Sequence, residues 1–194
     1  MQGPLLMDPV LYFRQPVKLL IIGQETSGWC CEYRDIPKQL AAYREYDVGR
    51  GAKDSYTRFW DVTRKLEACL GIAPCSCAWS NLNRFDYNGG RAPWDVQQEL
   101  SKLDFMLKEE IRILQPDVCI FYTSRNYDHR ITALFPGVLI EDVEGLPESI
   151  FARLTHPALP AATLRTPHPI SMQLKGTESA FIDYMKRYQA KQAT

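Results

Sequence analysis

Two residues with catalytic potential, Gln24 and Glu25, directly follow the short apolar run VKLLIIG at residues 17–23. A carboxylate held at the end of a buried strand can orient and polarise a water molecule as a general base. Asn81 and Asn83, two apart in SNLNRF, each carry a donor and an acceptor, which suits the reading of a base edge or a carbonyl. His168 lies between Pro167 and Pro169, whose rings fix the local chain and can hold an imidazole toward a pocket. Trp29 and Phe85 offer flat faces for stacking, and Arg84, Arg91, Arg165 and Lys175 are cations that could meet phosphates. Taken singly, each has a plainer reading: asparagines close turns, arginines cover surfaces, and tryptophans fill cores. Taken together, they point to hydrolysis by a carboxylate-activated water, with hydrogen-bond recognition of a flat substrate. The chain contains no P-loop, no GxGxxG and no recognised Ser-His-Asp order.

Such a set works only if the chain gathers it. Short apolar runs at 17–22, 75–80, 118–122, 137–140, 150–154 and 161–165 read as strands. Apolar stripes at helical spacing mark helices at 54–70, 95–115 and 177–189, with a shorter candidate at 37–47. Asp54 can cap the second of these in chain order, and Pro116 stops the third. Strands alternating with helices predict an α/β fold with a central, mostly parallel sheet of four or more strands and helices on both faces. In such sheets the functional loops lie beyond the C-terminal strand ends. GQETSGW, SNLNRFD and RTPHPIS occupy that position after the first, second and last strands, and are expected to converge on one edge.

Composition sets the outer bounds. The 194 residues suit one domain, with a core spanning about 17–190. Lys plus Arg equals Asp plus Glu, 23 each, which argues against a polybasic tail but leaves room for a local basic patch. Six cysteines without a CxxC, three histidines and no basic-then-apolar leader lead to the expectation of a cytoplasmic protein with buried thiols. No run reaches the roughly 18 apolar residues of a membrane span. Neither a membrane nor an obligate protein partner is expected.

The motifs LLIIGQETSGW at 19–29, AWSNLNRF at 78–85 and RTPHPIS at 165–171, with LDFMLKEEIRILQPDVCIF at 103–121, resemble the uracil-DNA glycosylase superfamily. The resemblance covers about residues 17–188 and implies that superfamily's α/β three-layer sandwich around a mostly parallel, four-stranded central sheet, DNA as partner and base excision without a cofactor or metal. It implies Glu25 as the water-positioning residue, Asn81 as the base reader with Asn83 as runner-up, and His168 as donor to the departing base. It also implies a base pocket of Gly23, Gln24, Asn83, Phe85 and Trp29, and a DNA-contacting segment at Ile170, Ser171, Met172 and Lys175, with Arg84, Arg91 and Arg165 on phosphates. Cys30 and Cys31 are adjacent rather than spaced as in the iron–sulfur members. The activity implied is monofunctional hydrolysis of the N-glycosidic bond of a flipped uracil or modified pyrimidine. Hypermodified cytosine in phage DNA, with a defence role, stands as an alternative to repair. So does a non-catalytic nucleic-acid-binding module on the same fold.

Overall fold

The computed structural model describes residues 5, 6, 8–25, 37, 38, 41 and 57–192. Seven strands form one sheet: β1 (Leu5–Leu6), β2 (Leu19–Gly23), β3 (Ala78–Asn81), β4 (Val118–Phe121), β5 (Leu139–Asp142), β6 (Ala152–Thr155) and β7 (Ala162–Arg165). Their spatial order is β1-β3-β2-β4-β7-β6-β5. Strands β3, β2, β4 and β7 run parallel. β1 is antiparallel to β3, β6 to β7, and β5 to β6.

This sheet overturns the expected four-stranded, mostly parallel sandwich: it has seven strands, and three of its six ladders are antiparallel. The reason lies in the connections. Nine residues join β5 to β6 and six join β6 to β7. A parallel crossover needs a dozen or more residues, so both links return the chain antiparallel. The family resemblance falls with the fold it implied. A seven-stranded mixed sheet is not that superfamily's four-stranded parallel sheet, and neither the superfamily assignment nor the place in base-excision repair drawn from it is retained.

The described helices are α1 (Pro9–Phe13), α2 (Arg58–Cys69), α3 (Trp94–Ser101), α4 (Phe105–Leu114), α5 (Asp128–Leu134), α6 (Pro169–Leu174) and α7 (Glu178–Gln192). Strand side chains alternate between faces, so each inner strand feeds two cores. Leu19, Ile21, Val118, Ile120 and Leu164 pack with Leu66 of α2, Met172 of α6 and Phe181 of α7. Leu20, Ile22, Cys119 and Phe121 pack with Tyr12 of α1, Leu107 and Ile111 of α4 and Ile131 of α5. The helix expected over 95–115 is two helices, because residues 102–104 make a turn that sends Asp104 inward to Arg130. Thr57, whose hydroxyl accepts from the amide of Trp60, caps α2. The expected cap Asp54 and most of the 37–47 helix lie outside the described residues. Among the described residues no helix is long and apolar enough to cross a membrane.

Candidate functional site

The loops after β2, β3, β4 and β7 leave the same edge of the sheet and are laced together by backbone bonds. Leu82 N–H donates to the Gly23 carbonyl at 3.0 Å, and Asn83 N–H to that of Gln24 at 2.8 Å. Tyr122 N–H donates to Ile22 at 2.8 Å, Thr166 N–H to Phe121 at 2.8 Å, and Ser124 N–H to Thr166 at 2.9 Å. The pairing of four strands thus continues beyond their ends and fixes the side chains that follow. Gln24 adds a tie, donating from Nε2 to the Thr123 carbonyl at 3.1 Å.

Glu25 is the centre of this edge. Its side chain is 12% exposed. Oε2 accepts from the Tyr127 hydroxyl at 2.6 Å and from Asn83 Nδ2 at 2.9 Å. Arg91 Nε lies 4.0 Å from Oε1. It donates to the Tyr127 hydroxyl at 3.1 Å, while Nη2 donates to Gln24 Oε1 at 3.3 Å and the guanidinium lies 4.9 Å above the Tyr127 ring. Burial and the adjacent Glu25 hold the Tyr127 phenol far above its ordinary range, so it stays a donor. Asn83 is fixed from behind: its Oδ1 accepts from buried Arg130, which is itself ion-paired with Asp104. With its oxygen on Arg130, the amide must present Nδ2 to Glu25, which makes Asn83 a positioning residue for the carboxylate.

His168 caps α6. Its Nδ1 accepts from the Ile170 amide at 3.3 Å, and its backbone N–H donates to Ser124 Oγ at 3.3 Å. Burial pushes the imidazole below its usual pKa, and the charge of Glu25 acts in the opposite direction. Near neutrality His168 is therefore uncharged, and because Nδ1 is an acceptor its proton sits on Nε2. The ring stands 5.8 Å from that of Phe59, which supplies an aromatic wall.

Asn81 sits elsewhere on the edge. It is 7% exposed and packs against Gly23, its partner in the β2–β3 register. A Cβ at Gly23 would overlap Asn81 Oδ1, so only glycine allows the approach. That oxygen is buried without a hydrogen-bond partner among the described residues.

The basic residues expected at phosphates divide. Arg84 is 4% exposed and donates to Glu110 at 2.8 and 3.0 Å and to Ser80 at 2.9 Å. Arg165 is 2% exposed, 3.2 Å from Asp128, and donates to the Ile150 carbonyl at 2.7 Å. Both guanidiniums are committed inside the protein, a correction to their expected place on a strand of DNA. Met172 is also corrected, since it is buried in the core. Ile170 and Lys175 are exposed, and Ser171 and Phe85 are half-buried. Trp29, with Cys30 and Cys31, lies outside the described residues.

The sequence reading missed Tyr127, Arg130 and Phe59. A signal existed for the first: TSRNY follows the apolar run at 118–122 as directly as GQE follows 17–22. Cys75 and Cys77 are organised differently, by buried Glu67, whose carboxylate accepts from both of their amides at 3.0 Å. Among the described residues no three metal-ligating side chains gather at one place. No protein-family model matches the chain, and no curated protein matches it.

Proposed function

We propose that the chain is a monofunctional DNA glycosylase that hydrolyses the N-glycosidic bond of an extruded pyrimidine, uracil or a modified base. The observation that supports this most is the pairing at one sheet edge of a fixed carboxylate with a neutral imidazole. Tyr127 and Asn83 occupy Oε2 of Glu25, which leaves Oε1 to hold the attacking water. The C1′–N bond breaks with its electron pair staying on the base. The Glu25 charge stabilises the cationic sugar, and water adds its oxygen to C1′. Its proton passes to Oε1 and then to solvent. His168 donates from Nε2 to the base oxygen on which negative charge develops. Water is the only co-reactant this chemistry consumes. We place the activity in the cytoplasm, where DNA and reduced thiols such as those of Cys77 and Cys119 coexist.

A second reading has one observation in its favour. With Arg84 and Arg165 turned inward, few of the expected phosphate contacts remain, and a free nucleoside would need none. The two readings separate in one assay of base release. Oligonucleotides carrying uracil or modified cytosines are run beside the corresponding free nucleosides. Release from the oligonucleotides supports the first reading, and release from the nucleosides alone replaces it with the second.

A further inference from the structure

A groove of about 520 Å³ runs along α7, away from the Glu25 cluster. Its walls carry Tyr184, Arg187, Tyr188 and Lys191 from the helix, Arg153 from β6, and the turn at Gly145. The four helix positions follow the i, i+3, i+4, i+7 spacing that puts side chains on one face. Phe181, Ile182 and Met185 serve the core, Tyr184 and Tyr188 are half-buried against it with the rest of their rings in the groove, and Arg187 and Lys191 make the remainder of the stripe cationic. We propose that this groove binds a free mononucleotide, a ligand with a flat base and a phosphate monoester.

The groove is shaped for both parts. Arg153 Nη2 donates to the Tyr184 hydroxyl at 3.2 Å, which fixes one guanidinium at the wall. Arg187 Nη2 lies over Gly145, 3.4 Å from where a Cβ would stand. Arg187 has no carboxylate partner among the described residues, and Glu144 is the one acidic side chain in the groove's lining. Among the described residues of the lining, Arg153, Arg187 and Lys191 stand with one carboxylate, Glu144, and Glu141 lies opposite Arg153 in the β5–β6 register. The tyrosine rings offer the stacking faces that any base can use. They continue into a hollow of about 220 Å³ whose lining is mostly apolar, with Ala161, Ala162, Leu164 and Met185, and which Arg153 shares with the groove. Strands β4 and β7 separate β6 from β2, so the groove and the Glu25 edge are distinct places in the fold.

Calorimetric titration of the full chain tests this, with AMP, UMP, adenosine and inorganic phosphate as separate probes. The mononucleotides should bind, and adenosine and phosphate alone should each bind more weakly. Arg187→Glu, on an exposed helix position, should weaken mononucleotide binding by about tenfold or more without changing the melting temperature. Tyr188→Leu keeps the apolar bulk and should weaken it through lost stacking. Glu25→Gln should bind as the wild type does, which separates this proposal from the glycosidic one. The proposal is overturned if neither mononucleotide binds, or if Arg187→Glu leaves binding unchanged. It is also overturned if Glu25→Gln abolishes binding, or if only an oligonucleotide binds through Arg187.

Discussion

The Tyr127 hydroxyl donates a 2.6 Å hydrogen bond to Oε2 of Glu25, joining residues 102 apart in the chain. The bond exists because β2 and β4 are neighbours in the sheet and the loops leaving their ends are tied side by side. Tyr127→Phe removes the donor and keeps the ring under Arg91. On the substrate the wild type cleaves, kcat should fall about tenfold with KM nearly unchanged, the loss typical of one hydrogen bond to a charged group. Steady-state kinetics of the two proteins check this. A KM effect with intact kcat would give Tyr127 a binding role instead.

Gly23→Ala should destabilise the fold by about 1–3 kcal/mol, because the new methyl group meets Asn81 Oδ1 across a buried strand pair. Asn81→Ala removes that obstacle. Urea denaturation of both single variants and the double variant should show strong coupling, with the double more stable than Gly23→Ala alone. Simple additivity would mean that the two residues do not meet.

His168 makes stability pH-dependent with a definite sign. Its folded pKa lies below the ordinary value of about 6.5 because of burial. Above that value both folded and unfolded chains hold a neutral imidazole, and the group has no effect on the balance. As pH falls below about 6.5, the unfolded chain takes up a proton first, and stability drops until the folded-state pKa is passed. Thermal melts from pH 7.5 to 5 should show a smaller decline for His168→Gln than for the wild type. Equal declines would assign the acid sensitivity to other groups.

Arg130 and Asp104 form a buried ion pair behind Asn83. Arg130→Met strands the Asp104 charge and should cost about 3–5 kcal/mol of stability. Adding Asp104→Leu should restore much of it while Asn83 stays without its anchor. Denaturation and activity should therefore separate: the double variant recovers its fold and remains slow.

The three sequence loops chosen for chemistry follow β2, β3 and β7, whose apolar runs were plain in the sequence. The sheet beyond them was not legible by periodicity alone. The run at 137–140 marked β5 as a strand, but LIED is exposed along its whole length and carries no alternation that would place it at the sheet's edge. Its direction, and that of β6, follows from connections too short for a crossover, a constraint of length rather than of pattern. Of the candidate site, the placement of Glu25 and His168 at one sheet edge was legible, where a strand end and a proline-flanked histidine stand out. It was illegible at Arg84 and Arg165, because only the folded chain shows that Glu110 and Asp128 meet their charges. Asn83 was read as facing a base. Its role became clear only with Arg130, brought from 47 residues away.

Single-turnover base release by the wild type and Glu25→Gln tests most directly the proposal that Glu25 carries the chemistry. Glutamine keeps the size and loses the charge that, in the proposed reaction, stabilises the sugar cation and orients the water. The wild type should release the base from an oligonucleotide bearing uracil or a modified pyrimidine, and the variant should lose about 10²–10⁴ in rate with its melting temperature retained. Near-wild-type release by Glu25→Gln, or no release by the wild type from any of these substrates, would contradict it.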